Sequence, residues 1–139
     1  MASEVGKIEA VTRRNTHYRH VIFTSRYSQL AVMCLQPGER LGCVPHTGAF
    51  QYFRVESGEG RFVFEDTQEE RLVSGGERVL MPRGVGHHVH NASETAPLKF
   101  YSISSPPTHA DSTLHRTQAE ADAAARAGVG LGATFTPVE

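Results

Sequence analysis

Two histidines and a glutamine occupy positions from which their side chains could bind a metal ion. His46 lies five residues before Gln51, at the start of a strand-like run, and His87 opens the separate segment HHVHN. Divalent transition metals bind imidazole nitrogen and oxygen donors that converge from different parts of a chain. These three residues could supply two nitrogens and one amide oxygen, with coordination positions left for water or a substrate oxygen.

The alternation of side chains along HHVHN divides its residues between two faces. In a strand, His87, Val89 and Asn91 share one face, and His88 and His90 share the other. Only one of these sets can point into a closed core. We expect His87 to point inward and the other two histidines to lie on the outer surface or at a dimer interface. Spacing alone leaves a structural role open for each predicted ligand, as an inward polar group bound to a carbonyl or to water.

The remaining candidate residues carry weaker signals. His109 and His115 follow the last predicted strand and are expected to belong to a connecting segment. Cys34 lies in an apolar run and is expected to be an inert core thiol. The chain has no G-x-S-x-G elbow and no phosphate loop or dinucleotide fingerprint. These observations argue against nucleophilic hydrolysis and nucleotide binding.

Composition limits the class of protein. The chain has 139 residues and a net charge of -1, which favours a single domain without affinity for nucleic acid or an anionic membrane. No apolar run reaches the roughly 18 residues that a transmembrane helix needs. The two cysteines form neither a disulfide framework nor a C-x-x-C pair. We expect a soluble protein of the reducing cytoplasm.

Short strands separated by glycine and proline dominate the pattern. Residues 29–35 are apolar throughout, which indicates a strand covered on both faces, whereas residues 51–56 alternate. Residues 61–65 complete a predicted hairpin with the latter strand. Strands at this spacing predict an all-β sandwich or barrel. The one helix signal is a capping box at residues 117–120, followed by an alanine-rich run that Gly128 can end.

Two glycine-bounded spacings resemble the motifs of the cupin superfamily. Residues 38–58 resemble the first motif, G-x5-H-x-H-x4-E-x6-G, and its fixed positions hold Gly38, Val44, His46, Gln51 and Gly58. Residues 76–91 resemble the second motif, G-x5-P-x-G-x2-H-x3-N, and its fixed positions hold Gly76, Pro82, Gly84, His87 and Asn91. The second match is complete, and the first lacks one histidine and the acidic residue.

The resemblance implies an architecture and an assembly. It predicts a jelly roll of two antiparallel sheets over residues 17–107, similar to the small mannose-6-phosphate isomerase-like cupins. Residues 1–16 are then an N-terminal extension, and residues 108–139 a connection, a short helix and a glycine-rich tail. Resembling proteins pair through sheet edges, so a homodimer is expected.

The resemblance also implies a metal site, residue by residue. The ligand positions of the motifs fall on His46, Gln51 and His87, and the family's first histidine falls on Val44, which cannot bind metal. Cys43 could replace that histidine only if the strand bulges. Because Gln51 replaces a carboxylate, metal affinity should be lower than is usual for the family. Zinc, nickel, iron and manganese are all compatible with these donors.

Three classes of function remain open. The first is a metal-dependent isomerase, epimerase, dioxygenase or decarboxylase acting on a small polar molecule. The absence of a carboxylate base from the motif positions argues against a vigorous isomerase. The second is a binding or sensing module that holds a small-molecule ligand, with or without metal. The third is a structural subunit whose barrel is filled by side chains. Such a barrel would be lined with apolar residues, which argues against this class if His46, Gln51 and His87 point inward. Fold alone does not select among them.

Overall fold

Two antiparallel β-sheets form the body of the protein, in a computed structural model that describes residues 3–42 and 48–128. The larger sheet has the order β10-β1-β2-β9-β4-β7, and the smaller has the order β3-β8-β5-β6. The strands are β1 (Arg19–Thr24), β2 (Gln29–Leu35), β3 (Arg40–Leu41), β4 (Phe50–Ser57), β5 (Glu59–Phe64), β6 (Glu69–Ser74), β7 (Arg78–Met81), β8 (His87–Asn91), β9 (Leu98–Ser105) and β10 (Leu114–His115). The predicted all-β jelly roll is confirmed.

Alternating strand residues build the core between the sheets. From β4, Phe53 and Val55 point inward, and Phe100 of β9 and Phe62 of β5 meet them from neighbouring positions. All four side chains are at most 1% exposed. The core therefore follows directly from the period-2 pattern of the sequence.

A helix that the sequence analysis missed covers the outer face of the larger sheet. Helix α1 (Ile8–Arg14) packs on β2, β4 and β9, and its Thr12 is fully buried. The sequence carried a helix signal only near the C-terminus, and α1 was not predicted because it is short and has no side-chain cap. Its presence explains the continuous apolar run of β2, since Val32 and Cys34 point outward and are buried.

The C-terminal helix α2 (Gln118–Arg126) confirms the predicted capping signal. The hydroxyl of Thr117 accepts a hydrogen bond from the backbone N–H of Glu120 at 3.2 Å. The Glu120 carboxylate in turn accepts from the backbone N–H of Arg116 at 2.8 Å. Gly128 follows the helix with a positive φ of 76°. Neither helix of the described ranges has the length and apolar character needed to cross a membrane.

Glu56, at a bulge in β4, is more deeply buried than alternation predicts. Alternation from Gln51 predicts that Glu56 faces outward into solvent, but its side chain is only 4% exposed. The pairing of β4 with β9 shifts between Val55 and Ser57, so one extra residue lies opposite β9. Glu56 is the inserted residue of this bulge. Its carboxylate lies 3.5 Å from Nε of Arg54.

Four glycines at the turns have positive φ angles. Gly38, Gly58, Gly76 and Gly84 have φ between 85° and 87°. A Cβ on Gly58 would also collide with the carbonyl oxygen of Pro97 and lie 3.0 Å from the Leu98 Cα. This turn therefore needs glycine for two reasons, backbone conformation and close approach.

Replacing Gly58 with alanine should destabilise the fold more than the same change at Gly38. Both positions have a positive φ, but a Cβ at Gly38 meets no atom within 4 Å. We expect Gly38→Ala to cost about 1–2 kcal/mol from backbone conformation alone, and Gly58→Ala to cost about 1–3 kcal/mol more because of overpacking. Urea unfolding of both variants measures the difference, and equal losses would contradict the close approach to Pro97.

Candidate functional site

The interior changes from apolar to polar along its length. On β9, the inward side chains are Leu98 and Phe100 at one end and Ser102 and Ser104 at the other, and all four are buried. The serines are paired across the sheet with Ala31 and Gln29 of β2. Small and polar side chains at this end leave space that the large apolar residues fill elsewhere. The candidate site is therefore one end of the sandwich.

A cavity of about 260 Å³ occupies this polar end. Its polar lining comes from both sheets, from the segment after β9 and from α2, and includes Arg19, Gln51, His87, His109, His115 and Asp122. This volume lies just below the range of about 300–1,000 Å³ that is usual for ligand pockets. The cavity is large enough for a small molecule and too small for a polymer segment.

Gln51 lies on the inner face of β4, as predicted. Its backbone pairs with Ser104 of β9 and Met81 of β7. The side-chain Nε2 donates a hydrogen bond to Oγ of Ser104 at 3.1 Å. This bond orients the amide, so that its Oε1 oxygen can bind a metal ion or accept a hydrogen bond from a ligand.

His87 begins β8 and lines the same cavity, at 7% exposure. Its ring packs edge-on against Phe53, with 5.4 Å between ring centroids. Burial lowers the pKa of His87, although a hydrogen bond with the backbone of Val85 acts in the opposite direction. The ring is therefore neutral at pH 7, which is the form that binds transition metals.

The predicted division of the β8 histidines is confirmed. His87 and Val89 are buried, whereas His88 and His90 are only partly buried on the opposite face. Nε2 of His88 lies 3.0 Å from the Glu65 carboxylate. The outward histidines are therefore separated from the cavity by the strand itself.

The third predicted ligand, His46, lies outside the described residues, together with Val44 and Cys43. Its role remains a prediction. Within residues 3–42 and 48–128, His, Cys, Asp and Glu side chains form no group of three that could hold a metal ion. The described part of the chain thus brings together two of the three predicted ligands, Gln51 and His87.

Three cavity residues were missed by the sequence analysis. Arg19 was not considered, and His109 and His115 were expected only in a connecting segment. In the structure, Arg19 pairs with His115 across β1 and β10, and its Nη1 lies 3.1 Å from the imidazole Nδ1. These residues are 96 positions apart. No local pattern in the sequence reports this pairing.

Gln29 fixes the segment that carries His109. Its Nε2 donates to the Thr24 hydroxyl at 3.0 Å and to the His109 carbonyl at 2.8 Å. Its Oε1 accepts from the backbone N–H groups of Thr108 and His109. Both ends of this amide are occupied, so Gln29 builds the cavity wall and is not available to a ligand.

Burial governs the protonation of the two histidines near Arg19. Burial, followed by the charges of Arg19 and His115, lowers the pKa of His109 from 6.5 to about 3. Burial and Arg19 also lower the pKa of His115, against an opposing effect of Glu120. Both rings are neutral at pH 7, so the positive charge at this end of the cavity comes from Arg19.

Known proteins are similar to this chain in sequence and in fold. The family described as "Cupin domain" matches residues 31–104. The protein YrkC of Bacillus subtilis (strain 168), whose name describes it as uncharacterized, is 34% identical over 124 residues, which are 86% of this chain. This chain spans 66% of the length of the curated relatives it matches.

Solved structures extend the similarity to three dimensions. The crystal structure of BH2720 from Bacillus halodurans is 35% identical, with a TM-score of 0.83, and the match covers 88% of this chain and 95% of that one. An RmlC-like cupin family protein with a double-stranded β-helix fold from Methanocaldococcus jannaschii matches with a TM-score of 0.60 over 76% of this chain and 93% of that one. At 20% identity, the latter likeness concerns the fold alone. With its jelly roll, its two motif spacings and a family match over residues 31–104, this chain belongs to the cupin family.

Proposed function

We propose that the protein binds a small polar molecule in its cavity, beside a divalent metal ion held by His46, Gln51 and His87. The observation that supports this most directly is the convergence of Gln51 and His87. They come from two separate motifs and line one polar cavity. The donor set fits a transition metal, since His87 is neutral and Gln51 offers an amide oxygen. Such an ion would supply Lewis-acid polarisation of a carbonyl or hydroxyl oxygen.

The protein's own side chains would position the bound molecule. The hydrogen bond to Ser104 fixes the amide of Gln51, and the packing of Phe53 fixes the ring of His87. These contacts would orient a ligand oxygen within the cavity. In the described residues, the only carboxylate lining the cavity is that of Asp122, an exposed residue of α2. This supports ligand binding, or oxidative chemistry of the dioxygenase type, over sugar isomerisation of the mannose-6-phosphate isomerase-like kind.

A metal-free binding module is the second candidate. Two features of the cavity favour it. Gln51 carries no negative charge to stabilise a cation, and Arg19 places a positive charge in the same cavity. Both reduce the affinity for a metal ion. In this alternative, Gln51 and His87 hydrogen-bond the ligand directly. The homodimer expected from the sequence stays a prediction in either case.

Metal content separates the two candidates. If the first is right, protein purified without chelator or polyhistidine tag should contain close to one equivalent of zinc, nickel, iron or manganese. A His46→Ala, His87→Ala double variant should contain none. Inductively coupled plasma mass spectrometry measures both.

The matched control removes two histidines from the opposite face of β8. A His88→Ala, His90→Ala double variant loses the same number of imidazoles and should retain its metal. Absence of metal from the wild-type protein, even after reconstitution with each ion, would reject the metal site and leave the binding module.

A further inference from the structure

Arg19 carries a buried positive charge inside the sandwich. It lies on the inner face of β1, lines the cavity and is only 9% exposed. Its guanidinium lies 5.4 Å from the centroid of the Tyr18 ring and 3.1 Å from Nδ1 of His115. Burying a guanidinium is costly unless an anion or several acceptors compensate for the lost water.

The described residues provide no counter-ion for this charge. No carboxylate oxygen of residues 3–42 and 48–128 lies within 4.0 Å of the Arg19 guanidinium. Asp122 lines the cavity from α2, is itself exposed, and acts on Arg19 only at longer range. Burial raises the pKa of Tyr18 to about 12, so its phenol is neutral, and it donates to the Arg40 carbonyl at 2.7 Å.

The contact with His115 leaves further donors for a ligand. Arginine can only donate hydrogen bonds, so Nδ1 of His115 is the acceptor and its proton is on Nε2. This single bond uses one of the five guanidinium N–H groups. Arg19 and His115 therefore form a cluster of hydrogen-bond donors with one net positive charge.

From this geometry we propose that Arg19 and His115 bind the carboxylate of a small organic monoanion within the cavity. The proposal rests on the proposed function and names the chemical class of its small polar molecule. A single guanidinium matches a carboxylate in charge and can bind both of its oxygens. A phosphate dianion would require a second cation, and the cavity lining has no lysine and no other arginine among the described residues. The volume of about 260 Å³ limits the ligand to a small acid.

The direct test is calorimetric titration of the full chain after chelator treatment, in a buffer free of carboxylates. The probes are acetate, lactate and pyruvate, with lactamide as the neutral isostere of lactate and inorganic phosphate as the alternative anion. We expect at least one carboxylate to bind and lactamide not to bind. Arg19→Gln should weaken carboxylate binding roughly 10- to 100-fold, the usual effect of losing charge-assisted hydrogen bonds.

Arg116→Gln is the matched control. It makes the same change of charge next to His115, at a side chain that is 66% exposed, and should leave carboxylate affinity unchanged. If Arg19→Gln does not fold, the comparison of lactate with lactamide on the wild-type protein still tests the requirement for charge, and Arg19→Lys tests the guanidinium geometry.

The inference is overturned if none of the three carboxylates binds, if lactamide binds as well as lactate, if phosphate binds better than every carboxylate, or if a folded Arg19→Gln variant keeps wild-type affinity. Carboxylate binding and the proposed metal site can each fail without the other. Carboxylate binding is measured here without metal, and Arg19→Gln is expected to keep whatever metal the wild-type protein contains.

Discussion

Phe53→Ala is expected to lower the free energy of unfolding by about 3–5 kcal/mol, the usual cost of deleting a buried aromatic ring. Phe53 is 1% exposed and lies where the apolar core meets the cavity. Its ring centroid is 5.8 Å from that of Phe62, 5.9 Å from that of Phe100 and 5.4 Å from that of His87. The substitution removes all three contacts and joins the vacated space to the existing cavity. Urea unfolding measures the loss.

Two further variants give this prediction its controls. Leu80→Ala shortens a side chain on the outward face of β7 that is 48% exposed, and should cost less than about 1 kcal/mol. Phe53→Leu keeps an apolar group in place and should lose less stability than the alanine variant. Similar losses for Phe53→Ala and Leu80→Ala would show that the Phe53 ring does not support this part of the fold.

The strands and turns of this protein were predictable because their signals are local. The alternation of residues 51–56 and the apolar run 29–35 report which faces are buried, and both lie in strands within a residue of their predicted bounds. Gly38 and Gly76, which the motif spacings identify, have positive φ angles in turns that only glycine adopts without cost.

Tertiary contacts account for what the sequence did not predict. Helix α1 has seven residues and no capping side chain, so it depends on the sheet that it covers. A hydrogen bond from Nζ of Lys99 to the Arg13 carbonyl at 2.6 Å holds its last turn against β9. Glu56 lies at a register shift of β4 against β9, which alternation within β4 cannot indicate.

The residues of the candidate site also fall into two groups, those that the sequence predicted and those that it did not. Gln51 and His87 were predicted because motif spacing identifies them, and they line one cavity. Arg19 and His115 were missed because they meet through the pairing of β1 with β10. A strand of two residues such as β10 carries too short a pattern to be recognised in sequence. The two motif spacings therefore identified Gln51 and His87. The charged part of the cavity, with Arg19, depends on the pairing of β1 with β10 and could not be predicted from the motifs.

Acid should destabilise the protein through His109, with a large effect between pH 6.5 and 4.5. Burial, followed by the charges of Arg19 and His115, lowers the pKa of His109 from 6.5 to about 3 in the folded protein. Below pH 6.5 the unfolded chain binds a proton at this ring that the folded chain does not. Stability is therefore full above about pH 6.5 and decreases as the pH falls toward 3. The linkage relation gives a loss of about 2 kcal/mol between pH 6.5 and 4.5.

A His109→Gln variant isolates this contribution. Glutamine does not titrate, and the backbone hydrogen bonds between residue 109 and Gln29 remain available. Urea unfolding at several pH values should show a smaller decrease in stability for the variant than for the wild-type protein. Burial also lowers the pKa of His87 and His115, so part of the acid sensitivity should persist. Identical pH dependence in the two proteins would mean that the His109 ring accepts its proton in the folded state, and hence that water reaches this wall of the cavity.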